Sequence, residues 1–360
     1  MKIEKLYIKT FDSTDTILSA TLSQKDEVVM VLSNGDVVRY NSTTDIVIKL
    51  FSLTKNLSIT EQKFDLKSKI KLYTLDNIVV IASDYANHCI VYNGDKQYNN
   101  IHFYRGNLCA DKTKYPIALY KNAEQTPHLI YAQDWNHIQI LNLDTLQIIT
   151  STKSLIEERA EAYALDYFKS SGDTSLIPWP LAFDYFYGEL VLSPDQKNFI
   201  SIGYDFSSYD DCRVFNIDNF VSNIRIDYSQ IYHGEWMQRA MCWVDNHTIA
   251  MTYNPWDELA ENNNESTLKE IHLYQIAGNT STLIEKIQIQ DKDIVYNKMY
   301  FDDVRRAFVL LNDTVGFTIV SMEGQTLLQE NSFVPKQYQA DYRQFVAYDK
   351  NELAVYALSI

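Results

Sequence analysis

Short apolar stretches recur along the whole chain, and polar residues typical of turns separate them. In each of seven places an apolar stretch, a short polar turn and a second, more strongly apolar stretch follow one another. This alternation is typical of paired antiparallel β-strands. The seven places are "LSATLSQKDEVVMVLSNG" from Leu18, "KIKLYTLDNIVVIASD" from Lys69, "PIALYKNAEQTPHLIYAQD" from Pro116, "GELVLSPDQKNFISIGYD" from Gly188, "AMCWVDNHTIAMTYN" from Ala240, "NKMYFDDVRRAFVLLND" from Asn297 and "RQFVAYDKNELAVYALSI" from Arg343.

The seven units begin 46 to 72 residues apart, and most continue with two further strands. Such a repeat predicts an all-β fold, a single β-propeller with seven blades of four antiparallel strands; six blades is the alternative count. The unit from Arg343 shows only two strands before Ile360. We expect the N-terminal "IEKLYIKTF" from Ile3 to supply a missing strand, so that the N- and C-terminal strands pair within one blade and no sheet edge stays open.

The longest interval separates the third and fourth units and contains an insertion, residues 153–187. Ser154 and Glu157 form a capping box, which predicts a helix over 154–170. One side of this helix carries an apolar stripe, which we expect to pack either against the propeller or against a partner protein. The stripe consists of Ile156, Ala160, Tyr163, Ala164, Tyr167 and Phe168. After the helix, an aromatic segment, "IPWPLAFDYFY" from Ile177, leads back into the fourth blade.

One part of the chain resembles a known group of proteins. The segments "FDYFYGELVLSPD" from Phe183, "VFNIDNF" from Val214 and "MCWVDNHTIAM" from Met241 are similar to a family of bacterial WD-repeat-like β-propeller proteins of uncharacterised function. The resemblance runs from Phe183 to Thr252. It implies the propeller fold and supplies no catalytic residue.

Charge narrows the choice of partner. The 32 basic and 47 acidic residues give a formal net charge of 32 − 47 = −15. Phosphate backbones would be repelled, so nucleic acid is not expected as a partner, whereas a basic protein is. The N-terminus lacks the continuous apolar core of a signal peptide and no later run is long enough for a membrane span, so we predict a cytoplasmic protein without membrane contact.

Long loops concentrate the acidic and aromatic residues. In a four-stranded blade, the loop between strands two and three and the connection to the next blade emerge on the same side. The segments 132–137, 204–211 and 254–265 hold such two-to-three loops, and the insertion is such a connection. Aromatic side chains give large contact area at low entropic cost, and carboxylates accelerate encounter with a basic partner. The predicted partner-binding residues are Trp179, Asp184, Tyr185, Tyr187, Asp205, Tyr209, Asp210, Trp256, Asp257, Glu258, Asp134 and Trp135.

Motifs of catalysis are not evident. The chain lacks a Gly-rich phosphate loop, an HExxH pair and a GxSxG elbow, so no catalytic residue, cofactor or metal is predicted. His88 and His137 occupy equivalent places in neighbouring units, which hydrogen bonding explains more simply than a metal ion. Loop carboxylates such as Asp184, Asp205 and Asp257 leave a hydrolase open as the alternative, because two acids ~5–10 Å apart can divide the roles of a glycosidase.

The sequence thus predicts a non-catalytic scaffold that binds a basic protein through its acidic, aromatic loops. One version of this prediction is an immunity protein that neutralises a cationic bacterial toxin.

Overall fold

The protein was analysed as a computed structural model. It describes residues 1–11, 14–54, 64–96, 100–150, 166, 169–170, 184–206, 209–222, 226–235, 239–254, 268–291 and 294–359. By its internal contacts the chain divides into two compact units. The first comprises Met1–Phe103, Arg239–Gln275 and Thr282–Ile360, and the second Tyr104–Gln238 with Ile276–Ser281.

Twenty-eight described strands form seven four-stranded sheets, which confirms the predicted seven blades of antiparallel strands. Each sheet except the last uses four strands that follow one another along the chain. The first unit holds five sheets, except for Tyr104 and the segment Ile276–Ser281, which belong to the second unit. Their strands are β2 (Ile17–Gln24), β3 (Glu27–Leu32), β4 (Asp36–Asn41) and β5 (Ile46–Ser52); β6 (Lys69–Leu75), β7 (Ile78–Asp84), β8 (His88–Asn93) and β9 (Asn100–Tyr104); β18 (Met241–Trp243), β19 (Thr248–Tyr253), β20 (Glu270–Ala277) and β21 (Thr280–Gln288); β22 (Lys298–Asp302), β23 (Ala307–Asn312), β24 (Gly316–Ser321) and β25 (Thr326–Glu330); and β26 (Gln337–Gln339), β27 (Gln344–Asp349), β28 (Glu352–Ser359) and β1 (Lys2–Thr10).

The second unit holds the third and fourth sheets and a short helix, α1 (Ile217–Ser222), which follows Asn216. The strands are β10 (Ile117–Lys121), β11 (Pro127–Asp134), β12 (His137–Asn142) and β13 (Gln147–Ile148), then β14 (Phe186–Leu192), β15 (Asn198–Tyr204), β16 (Tyr209–Asn216) and β17 (Ser229–Glu235).

Apolar side chains pack between neighbouring sheets of the first unit. Val28 and Met30 of the first sheet are buried together with Val346 and Val355 of the seventh. Equivalent clusters lie between the first and second, the fifth and sixth, and the sixth and seventh sheets. The strands that contribute to these clusters on both sides, such as β3 and β23, consist mostly of buried apolar residues. Burial on both sides explains why the second strand of each unit is the more apolar one in the sequence.

The seventh sheet contains both terminal strands, as predicted. β1 pairs antiparallel with β28, for example Ile8 with Ala354. One detail of the prediction is wrong: the two strands recognised from Arg343 onwards are the second and third of the sheet, because β26 precedes them. β26 has only three residues, "QYQ", and a strand this short carries no recognisable alternation.

The predicted insertion lies mostly outside the described residues, and its apolar stripe lies there entirely. Asp166 and Lys169, which are described, are helical. The prediction of one single domain, with an inserted segment at 153–187, stays a prediction. No helix in the described part of the chain is long and apolar enough to cross a membrane.

Candidate functional site: an acidic, aromatic surface

The aromatic run that leads into β14 ends at a bulge. Phe186 pairs with Tyr204 and Glu189 with Ile202, so the register shifts by one residue around Gly188. A Cβ atom at Gly188 would lie 1.8 Å from the carbonyl oxygen of Ile202. Only glycine therefore permits this close approach of the two backbones, and the bulge sets which way the preceding aromatic side chains point.

Tyr185 and Tyr187 point into the interior, so the prediction that they form part of a docking surface is wrong. They are 0% and 1% exposed. Tyr187 packs its ring 5.7 Å from that of Phe215, and the Tyr185 hydroxyl donates to the carbonyl of Ser201. The physical reason is the alternation of an extended chain, which sends residues 185 and 187 to one side and residue 186 to the other.

Asp210 is also buried, at 3% exposed, and is not part of an open surface. The sequence placed residues 204–211 together in a loop, but β16 begins at Tyr209, and Asp210 pairs with Tyr204 and with Gly234. The neighbouring Asp211 is buried as well. Its carboxylate accepts a 3.0 Å hydrogen bond from Nε of Arg213, whose guanidinium lies 4.1 Å from the Tyr185 ring centre. Asp210 and Asp211 are therefore buried residues of the fourth sheet, and Asp211 pairs there with Arg213.

Phe186, on the opposite side of β14, joins an aromatic cluster that reaches the surface. Its ring centre lies 4.4 Å from that of Trp135, 4.5 Å from that of Tyr204 and 4.8 Å from that of Phe206. Trp135 and Phe206 also contact each other edge to face, at 5.1 Å. Trp135 is half-buried, whereas Phe206 is 57% exposed. A large ring is thus held at the surface by other rings beneath it.

Three half-buried carboxylates accompany this cluster, and each accepts a hydrogen bond from a nearby backbone N–H. Asp134 accepts from Trp135 at 2.8 Å, and Asp184 accepts from Phe206 at 3.0 Å. Asp205 accepts from Tyr209 at 3.1 Å. The carboxylates therefore fix the loops that carry the aromatic rings. Among the described residues, neither Asp134 nor Asp184 forms an ion pair with a lysine or arginine.

His233, on β17, completes this surface. Its Nε2 lies 2.9 Å from Oδ2 of Asp205, and its ring centre lies 5.5 Å from that of Tyr209. His233 and Tyr209 are both exposed. We call this set of residues, all in the second unit, the acidic aromatic patch: Asp134, Trp135, Asp184, Phe186, Asp205, Phe206, Tyr209 and His233.

The remaining predicted residues, Trp179, Trp256, Asp257 and Glu258, lie outside the described residues. Three members of the patch, Phe186, Phe206 and His233, were missed by the sequence analysis. Phe186 lies within the aromatic segment from Ile177 but was not among the predicted binding residues. Phe206 had a signal, since it is an apolar residue in a polar loop between two carboxyl-bearing stretches. His233 had none, because its contact with Asp205 spans 28 residues and depends on the pairing of β16 with β17.

The patch contains one carboxylate–histidine pair, Asp205 with His233, and the carboxylates of Asp134 and Asp184 bond backbone N–H groups. The carboxylates of the patch orient backbone groups and a histidine, and no group of three His, Cys, Asp or Glu in the described part of the chain could hold a metal ion. What the patch offers is an exposed ring packed on other aromatic rings, with carboxylates around it. Those are the elements of a recognition surface.

The fold defines the class: the protein is a seven-bladed β-propeller. A solved structure with a similar fold is the WD40 domain of Pan2 from Neurospora crassa, with a TM-score of 0.55 and 7% sequence identity. The similarity covers 99% of this chain and 96% of that one. The chain matches no protein-family model and no curated protein sequence. The resemblance to WD-repeat-like propellers is thereby confirmed for the fold, and its bacterial attribution stays a prediction.

Proposed function

We propose that this propeller is a non-catalytic scaffold that binds a basic protein through the acidic aromatic patch. The exposed ring of Phe206, held against Trp135 and Phe186, is the observation that carries the proposal. Full burial of a phenyl side chain contributes about 1.5–3 kcal/mol, and Phe206, which is 57% exposed, would gain roughly half of that when a partner covers it. WD40-type propellers commonly serve as protein-interaction scaffolds, which agrees with this assignment.

Charge supports a basic partner. The patch places Asp134, Asp184 and Asp205 around the exposed ring, and the whole chain has an excess of 15 negative charges. Such a field raises the rate of encounter with a cationic protein and weakens as salt is added. The finer form of the proposal is a cytoplasmic bacterial immunity protein that neutralises a cationic toxin. A toxin-like reading frame beside the gene would support this form.

The test is affinity capture compared between matched variants. We expect the wild-type chain to retain a basic protein at low ionic strength, and we expect Phe206→Ala and Asp184→Asn each to weaken that binding. Val304→Ala is the control for Phe206, because Val304 is a strongly exposed apolar side chain of the first unit. Asp245→Asn is the control for Asp184, because Asp245 also accepts hydrogen bonds from backbone N–H groups in a turn. Equal binding by all four variants would contradict the proposal.

The same variants separate a scaffold from the hydrolase alternative. A hydrolase would lose turnover almost completely on substitution of one essential carboxylate, such as Asp184 or Asp205. A binding surface would instead lose affinity by degrees and show a salt dependence that decreases with each removed charge.

A further inference from the structure

The fourth strand of the first sheet, β5, exposes a continuous apolar run. The strand order of this sheet is β2–β3–β4–β5, so among the described strands β5 pairs only with β4. Its first three residues, Ile46, Val47 and Ile48, are 52%, 44% and 55% exposed. Because successive side chains of a strand point to opposite faces, the run exposes apolar surface on both faces beside the sheet edge.

The fourth strands of other sheets in the first unit do not expose such a run. β1, "KIEKLYIKT", intersperses its apolar residues with charged ones, and in β21 Glu285 and Lys286 directly follow the exposed Leu283 and Ile284. In β25 the exposed Leu327 has half-buried neighbours on both sides. Charges within an edge strand hinder its pairing with other chains. The exposed run of β5 contains no charge, and its three β-branched residues favour strand pairing.

The exposed half of β5 is held in place at both ends. In the preceding turn, the side chain of Asn41 accepts hydrogen bonds from two backbone N–H groups, and Asp45 forms a 2.6 Å ion pair with Lys9 of β1. At the other end, the ring of Phe51 stacks on that of Tyr92 of β8, with 4.7 Å between ring centres. Pairing of this strand with another would therefore not require a mobile segment to become ordered, which lowers the entropic cost of association.

The segment "DIVIK", Asp45 to Lys49, is complementary to itself in an antiparallel alignment. With a two-fold axis at Val47, Ile46 faces Ile48 of a second copy, and the Asp45 end of each strand meets the Lys49 end of the other. The side chains of Asp45 and Lys49 are both more than half exposed, so each can add an ion pair across this contact. A parallel alignment would place each charge beside its equal, which is unfavourable.

We propose that β5 pairs antiparallel with β5 of a second copy of this chain, about a two-fold axis at Val47, so that two first sheets join into one continuous sheet. Such a contact is isologous, the commonest kind in symmetric dimers. One strand pair is a small interface, so we expect a weak dimer with a dissociation constant on the order of 10–100 µM.

The first experiment is sedimentation velocity of the full chain over a roughly hundredfold range of concentration, up to about 200 µM. We expect a reversible shift from monomer to dimer. Val47→Lys places two ammonium groups at the two-fold axis, and we expect it to weaken association at least about tenfold. Leu327→Lys is the matched control, because Leu327 is similarly exposed, at 42%, on the fourth strand of the sixth sheet.

The second experiment tests the register of the two strands. Directly opposite residues of antiparallel strands bring their Cβ atoms within disulfide range, so Val47→Cys should cross-link with itself under mild oxidation. A mixture of Ile46→Cys and Ile48→Cys should cross-link more than either variant alone. Leu327→Cys is the control for reaction through the native cysteines, of which Cys89, Cys212 and Cys242 are buried. Circular dichroism of each variant establishes that it is folded.

The proposal is overturned if the wild-type chain stays monomeric up to about 200 µM. It is equally overturned if Val47→Lys and Leu327→Lys associate alike, or if Val47→Cys forms no more cross-linked dimer than Leu327→Cys. None of these outcomes depends on the acidic aromatic patch.

Discussion

At the scale of single residues, neighbours in the sequence pack on opposite sides of the chain. Tyr185 and Tyr187 are buried on one side, and Phe186 is buried on the other side, within the cluster that carries the exposed Phe206. Gly188, which follows Tyr187, must be a glycine, because the absence of a side chain leaves room for the carbonyl oxygen of Ile202. One short segment therefore supplies both core packing and the base of a surface patch.

Gly188→Ala is expected to destabilise the protein by about 1–3 kcal/mol, because the added Cβ forces the backbones of β14 and β15 apart. Urea unfolding followed by fluorescence measures the change in the free energy of unfolding. Gly94→Ala is the control: a Cβ there would have its nearest neighbour at 3.5 Å, an ordinary contact. If both variants unfold at the wild-type midpoint, that result would contradict the close approach between Gly188 and the carbonyl oxygen of Ile202.

Arg213→Met is expected to cost about 3–5 kcal/mol, because it leaves the buried carboxylate of Asp211 without its cation. The double variant Asp211→Asn, Arg213→Met should recover a substantial part of that loss, since it removes the uncompensated charge. A double-mutant cycle by chemical denaturation measures the coupling between the two side chains. Strictly additive effects would argue against a coupled buried pair.

At the scale of elements, contacts between strands decide which polar groups are buried. His88 of β8 and His102 of β9 share a 2.9 Å hydrogen bond between Nε2 and Nδ1, and the ring of Phe64 lies against His88. Burial, with a smaller effect of His102, lowers the pKa of His88 to about 4. The sequence predicted equivalent places for His88 and His137, and each begins the third strand of its sheet. The hydrogen-bond partner of His88, His102, was not predicted.

The His88 site predicts an acid-dependent loss of stability. The folded pKa lies below the ordinary value of 6.5, so the unfolded chain takes up the proton first as the pH falls. Stability should therefore decline from about pH 6.5 to about pH 4, by at most about 3 kcal/mol after allowing for solvent screening. Unfolding midpoints measured across this range should depend less on pH in His88→Gln. His247→Gln, at an exposed turn, is the control, and an identical pH dependence in both variants would rule out His88 as the source.

At the scale of the whole molecule, the fourth strand of the seventh sheet comes from the opposite end of the chain. β1 pairs with β28 over most of its length, with one bulge between Lys5 and Tyr7. Without β1, the N–H and C=O groups of β28 would form an open edge, which favours pairing with other chains.

Removal of residues 1–10 should therefore lower the melting temperature and promote aggregation. Thermal scanning and size-exclusion chromatography measure the two effects. Ile8→Thr, which changes an exposed side chain of β1 and retains its backbone pairing, should leave both nearly unchanged. A truncated chain that remains monomeric with the wild-type melting temperature would show that β1 contributes little.

The sequence by itself predicted the four-stranded repeat and the pairing of the terminal strands, and it favoured seven blades over six, because these features follow from hydrophobic alternation and turn residues within short segments; the structure settled the count at seven. It also pointed to Asp134, Trp135, Asp205 and Tyr209 as members of one surface. Only the tertiary structure decided that Tyr185, Tyr187 and Asp210 are buried and that His233 joins Asp205. These contacts join residues far apart in the chain, and strand register and sheet packing set them rather than any local pattern.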